Sequence, residues 1–228
     1  MNIAIDGPAG AGKSSVARAV AQTLNMIYVD TGAMYRAIAY AADERGVACQ
    51  DEKALLDMMS DLQIALSYDD DQNQHIFLQS EDVTDLIRSD RISKLASNVS
   101  VYDQVRRAMV RMQQDLAKRQ EVVMDGRDIG TVVLPDATYK FFITADATER
   151  AKRRIKEWNE KGIPVTQSLE EVKRSIEERD YADMNRSVSP LRQANGAILL
   201  DTTQMTLDET VQAVLRSIAT EKDAQCFI

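Results

Sequence analysis

The residues with the clearest chemistry lie near the N-terminus, where a glycine-rich run suits the binding of phosphates. Residues 7–14 match the pattern G-x-x-x-x-G-K-[ST], between a predicted strand at 2–6 and a predicted helix. Glycines let the backbone wrap closely around phosphates, and N–H groups at a helix N-terminus attract anions. Lys13 can reach the β- and γ-phosphates of a nucleoside triphosphate, and the Ser14 hydroxyl can coordinate Mg²⁺. The predicted triphosphate-binding residues are Gly7, Pro8, Ala9, Gly10, Ala11, Gly12, Lys13, Ser14 and Ser15.

A second group of charged residues follows the third predicted strand of the sheet. Its exit loop contains Arg127 and Asp128 among glycines. In open parallel sheets, ligands bind outside the carboxyl ends of the strands. Asp6, Asp30 and Asp125 each end a predicted strand, so we expect polar groups to meet at one crevice beside the glycine-rich run. A glycine turn with an internal ion pair is the alternative interpretation of the exit loop.

Several arginines lie on predicted helices from which they could contact the phosphates of a nucleotide. Two charged helices are predicted on either side of a turn that contains Gly162 and Pro164, which is typical of a mobile lid. A solvated helical hairpin is the alternative. Arg36 lies about one turn into another helix, and both a solvated surface position and a phosphate contact stay open for it.

The pattern of apolar runs predicts how these residues are positioned. Five short runs alternate with helical patterns, which predicts an α/β fold with a five-stranded parallel sheet flanked by helices. Residues 64–83 break this rhythm and predict a small antiparallel insert, in which the acidic run 69–71 is expected to be a solvated turn. Residues 89–120 predict a helix in two pieces. The five runs are 2–6, 26–30, 121–125, 139–143 and 197–201.

Composition excludes several classes of protein. The chain of 228 residues has a formal net charge of −8, which argues against nucleic acid or a membrane surface as a partner. Its apolar runs are too short to span a bilayer, and the first strand leaves no room for a signal peptide. Two cysteines, Cys49 and Cys226, are too few for a disulfide framework and indicate a cytoplasmic protein. The lack of a heptad pattern favours a monomer.

The residue types favour phosphoryl transfer to an acceptor that is itself a phosphate. Such transfer depends on positioning and charge neutralisation, and an anionic acceptor oxygen needs no general base. The single histidine, His75, is predicted in a strand, and the arginines are many. A P-loop GTPase is one alternative, but its N-K-x-D guanine motif is absent from the sequence. A kinase for a small alcohol is the other, and it would need a base for a neutral hydroxyl.

The chain resembles the bacterial cytidylate kinase family over essentially its whole length. This resemblance implies transfer of the γ-phosphoryl group from ATP to CMP or dCMP, giving ADP and CDP or dCDP, with Mg²⁺. It also implies one P-loop kinase domain over residues 1–228, a CMP-binding insert near 63–84 and a short lid near 152–168. The segments that carry the resemblance are 5–14, 30–36, 124–135, 178–180, Asp183, Asn185, Arg186 and 189–191.

The resemblance also implies roles for individual residues. A carboxylate such as Asp128 accepts from the cytosine 4-amino group but cannot accept from the uracil carbonyl. The family often has Ser where Thr31 stands, and the hydroxyl is kept. The implied catalytic residues are Lys13, Arg127, Asp128, Arg153 and Arg154, the last two as contacts to the transferred phosphate. The implied CMP-binding residues are Arg36 and Arg127 at the phosphate, Thr31, Arg106, Asp128 and Arg186 at the cytosine, Ser97, Arg179 and Asp183 at the sugar, and Tyr35.

Overall fold

The computed structural model describes residues 1–69 and 73–225, with side chains to Thr220. Most of the expected 69–71 turn, together with Cys226, therefore lies outside the described residues. The strands are β1 (Asn2–Asp6), β2 (Ile27–Asp30), β3 (Ile64–Tyr68), β4 (Gln74–Leu78), β5 (Glu81–Asp82), β6 (Val122–Gly126), β7 (Tyr139–Thr144) and β8 (Ile198–Asp201). The helices are α1 (Lys13–Leu24), α2 (Thr31–Glu44), α3 (Glu52–Ser60), α4 (Asp90–Val99), α5 (Asp103–Arg119), α6 (Ala147–Glu160), α7 (Leu169–Asn185) and α8 (Leu207–Gln225).

A five-stranded parallel sheet in the order β2-β6-β1-β7-β8 forms the centre of the molecule, as predicted. Side chains alternate between its two faces. Ile3 and Ile5 pack with α1 and α8 on one face, whereas Ala4 and Met124 pack on the other, where α5 contributes Leu116. The sheet is therefore buried between two layers of helices.

The sheet register brings the carboxyl ends of three strands to one edge. Asp30 of β2 lies opposite Asp125 of β6, and Asp6 of β1 lies opposite Gly126. The helices that follow start at this edge because local caps direct them. The Asp30 carboxylate accepts a 2.9 Å bond from the Ala33 N–H at the start of α2. The expected crevice is therefore present where β1, β2 and β6 end.

The predicted antiparallel insert is a three-stranded sheet in the order β3-β4-β5. The third strand is short, and the Val83 N–H beyond it still bonds the Ile76 carbonyl at 2.9 Å. Gln74 connects the insert to the main sheet, because its side-chain oxygen accepts from the Asp30 N–H at 2.8 Å. His75 lies in β4, as predicted. The insert therefore borders the crevice at the end of β2.

Helices α6 and α7 form the predicted hairpin. Asp146 caps α6 by accepting from the Thr148 N–H, and Ser168 begins α7 with a reciprocal capping box to Glu171. Gly162 in the turn has φ +66°, in the left-handed region that favours glycine. The hairpin has a small apolar core of its own. Its members are Ala151, Val172 and Ile176, with Ile155, Trp158 and Leu169 packed around them.

The predicted helix at 89–120 is divided into α4 and α5, as expected. Over the part of the chain that the structure describes, no helix is both long and apolar enough to cross a membrane.

Candidate active site

The glycine-rich run forms a tight loop between β1 and α1. Gly10 and Gly12 have φ values of +73° and +85°, which L side chains rarely adopt. A Cβ on Gly7 would lie 1.9 Å from the Ile143 carbonyl oxygen, so only glycine fits against the neighbouring strand. The Lys13 ammonium folds back over the loop and donates to the Pro8 carbonyl at 2.7 Å. This loop has the shape of a phosphate cradle.

The Lys13 ammonium is buried and electrostatically strained. Burial, followed by repulsion from the Arg127 guanidinium, lowers the pKa of Lys13 to about 7. The Asp125, Asp180 and Asp6 carboxylates oppose this shift without cancelling it. An anionic group in the cradle would stabilise the ammonium form.

The Ser14 hydroxyl contacts the carboxylate that ends β6. It donates to Asp125 Oδ2 at 2.8 Å, and the Tyr28 hydroxyl donates to Oδ1 at 2.8 Å. Burial, and then the charge of Asp30, raises the pKa of Asp125. The carboxylate is therefore held in one orientation next to the start of α1.

Asp6 fixes the exit loop that carries Arg127 and Asp128. Its two carboxylate oxygens accept from the Ile129 and Gly130 N–H groups at 2.8 and 2.7 Å. Burial is the main reason that the pKa of Asp6 rises to about 6. Since Asp6 directly precedes Gly7, one residue connects the phosphate cradle to the exit loop.

A buried group of charged side chains surrounds Asp128. Arg106, which is 3% exposed, donates from Nη2 to Asp128 Oδ2 at 2.5 Å. The Arg106 guanidinium also lies 5.4 Å from the centre of the Tyr35 ring. Arg186 Nη2 lies 3.9 Å from Asp128 Oδ1, too far for a hydrogen bond, and has no partner among the described residues. Asp128 Oδ1 and Arg186 Nη2 are thus close enough for an ion pair but are not joined by a hydrogen bond.

Asp183 joins this group to the arginines nearer the cradle. Its Oδ2 accepts from Arg127 Nε at 2.8 Å, and its Oδ1 lies 3.6 Å from Arg186 Nη1. Burial alone would raise the pKa of Asp183, but the guanidinium groups of Arg127, Arg179 and Arg186 lower it. Asp183 therefore stays ionised at neutral pH.

The Arg179 guanidinium lies among other positive charges. Burial, and then repulsion from Arg127, Arg154 and Arg36, lowers the pKa of Arg179 to about 10. Its buried Nε has no hydrogen-bond partner within the described ranges. Arg36 is held nearby by a 2.8 Å bond from Nη2 to Asp30 Oδ2, and its own Nε is also without a partner. Such a cluster attracts an anion.

The remaining predicted residues make other contacts. The Thr31 hydroxyl donates to the Asp125 backbone carbonyl at 2.7 Å. Ser97 bonds the Ser93 carbonyl of its own helix at 3.4 Å, and Ser15 is exposed in the first turn of α1.

The two arginines predicted to lie in a lid point in different directions. Arg153 donates to the Thr202 carbonyl at 2.6 Å, and its Nη1 would lie 3.9 Å from a Cβ on Gly12. Arg154 reaches across to α4 and donates to Asp90 Oδ1 at 2.9 Å. Arg153 therefore borders the cradle, whereas Arg154 connects the hairpin to the side that carries the insert.

Two residues at the cradle were missed from the sequence. The Arg150 guanidinium and the Asp180 carboxylate both contact the backbone of Ala9. Asp180 belongs to a run that carries the family resemblance, but helical charge alone does not distinguish it from its exposed neighbours. Asp6, Asp30 and Asp125 were expected at the crevice from their places at strand ends, and their partners became visible only in the structure.

Comparison with known proteins agrees with this geometry. The family model described as "Cytidylate kinase" matches residues 3–220. A cytidylate kinase from Halalkalibacterium halodurans is 49% identical over 215 residues, covering 94% of this chain and 96% of that protein. One from Bacillus licheniformis is 46% identical over 223 residues, covering 98% and 97%.

Among solved structures, an uncharacterized protein from Eubacterium ventriosum superposes with a TM-score of 0.53 at 13% identity, covering 96% of this chain and 98% of that one. That likeness concerns the fold alone. The family model and the full-length relatives, together with a phosphate cradle facing an arginine-rich crevice, place this chain in the cytidylate kinase family.

Proposed function

We propose that this enzyme transfers the γ-phosphoryl group of ATP to CMP or dCMP, giving ADP and CDP or dCDP. The observation that carries the proposal is the buried Arg106–Asp128 pair, whose second carboxylate oxygen, Oδ1, lies 3.9 Å from Arg186 Nη2 and is not hydrogen-bonded to it. A carboxylate oxygen in that position accepts from an exocyclic amino group such as the cytosine 4-amino group. Membership of the cytidylate kinase family supports the same acceptor.

In this proposal the cradle holds the donor. Backbone N–H groups of residues 7–14 and the Lys13 ammonium bind the β- and γ-phosphates. Burial lowers the pKa of Lys13, so the side chain loses its proton easily. The negative charge of bound ATP would favour the protonated form again. The first turn of α1 adds the favourable end of the helix dipole.

The acceptor would lie across the crevice from the cradle. Arg36 and Arg127 would hold the CMP phosphate, because both guanidiniums lie in the cluster that repels Arg179. Arg179, Asp183 and Ser97 would hold the sugar. Asp128, supported by Arg106, Arg186, Thr31 and Tyr35, would read the base. These roles follow the family resemblance, and the observed clustering supports those of the arginines, Asp128 and Asp183.

Transfer in this site needs no side chain to remove a proton. An acceptor phosphate oxygen that is already anionic forms a bond to the γ-phosphorus, while the bond from that phosphorus to the β–γ bridging oxygen breaks. The electron pair of the broken bond stays with ADP. Lys13, Arg127 and the lid arginines Arg153 and Arg154 would balance the charge that spreads over the transferred group.

The residues around Ser14 suit Mg²⁺. The Ser14 hydroxyl and the Asp125 carboxylate form an oxygen-only donor pair, and Mg²⁺ prefers oxygen ligands, including waters and substrate phosphates. Bound there, the ion would neutralise charge on the β- and γ-phosphates. Ser14 would be its direct protein ligand, with Asp125 orienting the hydroxyl.

We further infer that the enzyme acts in the cytoplasm as a monomer. A free, buried Cys49 suits a reducing compartment in which ATP is abundant. The exposed large hydrophobic side chains are spread over different elements, such as Leu86, Tyr181 and Leu199, which favours a single copy.

An acceptor panel tests the proposed reaction. The enzyme with ATP and Mg²⁺ is offered CMP, dCMP, UMP, AMP, gluconate and shikimate, and ADP release is measured with a coupled assay. We expect the highest kcat/KM with CMP or dCMP. A higher kcat/KM with gluconate or shikimate would support a kinase for a small alcohol. A rate of ADP release that is the same with and without every acceptor would indicate a nucleotide hydrolase.

A further inference from the structure

A buried ion pair grips the backbone of the phosphate cradle from outside. Asp180 Oδ1 accepts from the Ala9 N–H at 2.9 Å, and Arg150 Nη1 donates to the Ala9 carbonyl at 2.8 Å. The same Arg150 Nη1 lies 2.5 Å from Asp180 Oδ2. Both backbone polar groups of one cradle residue are thus bonded to one pair, whose members are each 6% exposed.

This arrangement restricts how the cradle can relax. Turning either peptide bond that flanks Ala9 would break a charge-assisted hydrogen bond in a buried place. The next residue, Gly10, has φ +73°, and a Cβ there would lie 3.5 Å from Arg150 Cβ. Helix α6 therefore packs directly against one of the glycines of the loop. The pair holds in place a backbone that glycine would otherwise leave flexible.

The pair also joins the cradle to both arms of the hairpin. Arg150 lies in the first turn of α6, and its Nε is fixed by a 2.9 Å bond to the Ala145 carbonyl. Asp180 lies in the C-terminal half of α7, next to Arg179 and one turn before Asp183. Moving either helix relative to the cradle would pull on Ala9. The charge of Asp180 also acts on the Lys13 ammonium and raises its pKa.

We propose that Arg150 and Asp180 are positioning residues for the ATP site. They hold the Ala9 peptide so that the cradle keeps its N–H groups toward the triphosphate. Through these contacts, ATP binding would depend on the position of the α6–α7 hairpin relative to the cradle. This inference rests on the proposed use of the cradle for ATP. It does not depend on which acceptor is phosphorylated.

The test compares Asp180→Asn and Arg150→Lys with a control pair on the same hairpin. Arg174 and Glu178 face each other on the exposed side of α7 at 3.9 Å, with side chains 71% and 73% exposed. ATP dissociation constants are measured by calorimetry without any acceptor. We expect Asp180→Asn and Arg150→Lys to weaken ATP binding about 10- to 100-fold, as for loss of a hydrogen bond to a charged group. Arg174→Gln should change it by less than about twofold.

Two further readouts separate positioning from general stability. KM for the acceptor should change far less than KM for ATP, and ATP should protect the amides of residues 7–14 from hydrogen exchange less well in Asp180→Asn than in the parent. If either single variant does not fold, the double variant Arg150→Met with Asp180→Leu removes both buried charges together. This double variant should also bind ATP more weakly than the parent does.

The proposal is overturned if a folded Asp180→Asn or the double variant binds ATP like the parent, even with a lower melting temperature. Failure of the proposed function would look different, because it would appear in the acceptor panel of the unchanged enzyme while ATP binding remained intact.

Discussion

Replacing Asp128 by Asn should convert the base site from preferring cytosine toward tolerating uracil. In the structure, Arg106 donates to Asp128 Oδ2, so the carbonyl oxygen of an Asn at this position would keep that contact. The amide nitrogen would then take the place of Oδ1, which lies 3.9 Å from Arg186 Nη2. A group that accepts a hydrogen bond would become one that donates.

The expected magnitude follows from that exchange. CMP would lose a hydrogen bond to a charged acceptor, worth about 1.5–3 kcal/mol, which corresponds to about a 10- to 100-fold drop in kcat/KM. UMP would gain a donor opposite its 4-carbonyl oxygen, worth roughly tenfold at most. The ratio of kcat/KM for CMP over UMP should therefore fall by about 10- to 1,000-fold.

The assay is coupled ADP release with CMP and UMP at saturating ATP. In Asp128→Asn the Arg106 guanidinium faces a neutral partner, so the melting temperature is measured to check that the variant is folded. Arg107→Gln on the exposed side of α5 is the matched control and should leave the ratio unchanged, whereas Arg127→Gln should lower both acceptors alike. If Asp128→Asn lowers both acceptors equally, Asp128 does not read the base and the reasoning is wrong.

Four more predictions follow from the structure. Lys13→Met should lower kcat at least about 100-fold while the protein stays folded, and a near-normal kcat would refute the assignment of the ATP site. The pKa of Lys13 is lowered to about 7 in the free enzyme, and the phosphates of ATP should raise it. ATP binding at pH 8 should therefore take up protons, and ATP affinity should weaken as pH rises. Calorimetry in buffers of different ionisation enthalpy measures this proton uptake, which should differ between the parent and Lys13→Met. ATP with a CMP analogue should protect residues 150–168 from protease, whereas equal cleavage with and without ligands would indicate a static hairpin. Phe141→Ala should lower the free energy of unfolding by about 3–5 kcal/mol, against less than about 1 kcal/mol for the exposed Leu199→Ala, as measured by denaturant titration.

Much of the fold was predictable because its signals are local. The central strand β1 is a short apolar run ending at the glycine-rich loop, and its predicted bounds agree with those observed. The helix start at Ser168 was readable from the capping pattern with Glu171, since cap and partner are three residues apart. The triphosphate cradle was equally readable, because its glycines, lysine and serine are adjacent in the chain.

The pairings inside the site were not predictable in the same way. Asp6 bonds Gly130 across 124 positions, and Asp180 bonds Ala9 across 171. Nothing in the local sequence marks Asp180 as buried, since the charged residues Glu177 and Glu178 on the same helix are exposed. Similarly, Arg106 and Arg107 are adjacent in sequence, but one is buried against Asp128 and the other is exposed.

The sequence by itself determined which segments become strands, helices and caps, and it supplied a phosphate cradle and a family resemblance. The tertiary structure decided which charges meet. Strand order placed β6 between β1 and β2, so the ends of three strands that are distant in the chain came to one edge. Burial at that edge then selected particular acid–arginine pairs, because a charge removed from water is stable only beside a partner that the whole fold brings to it.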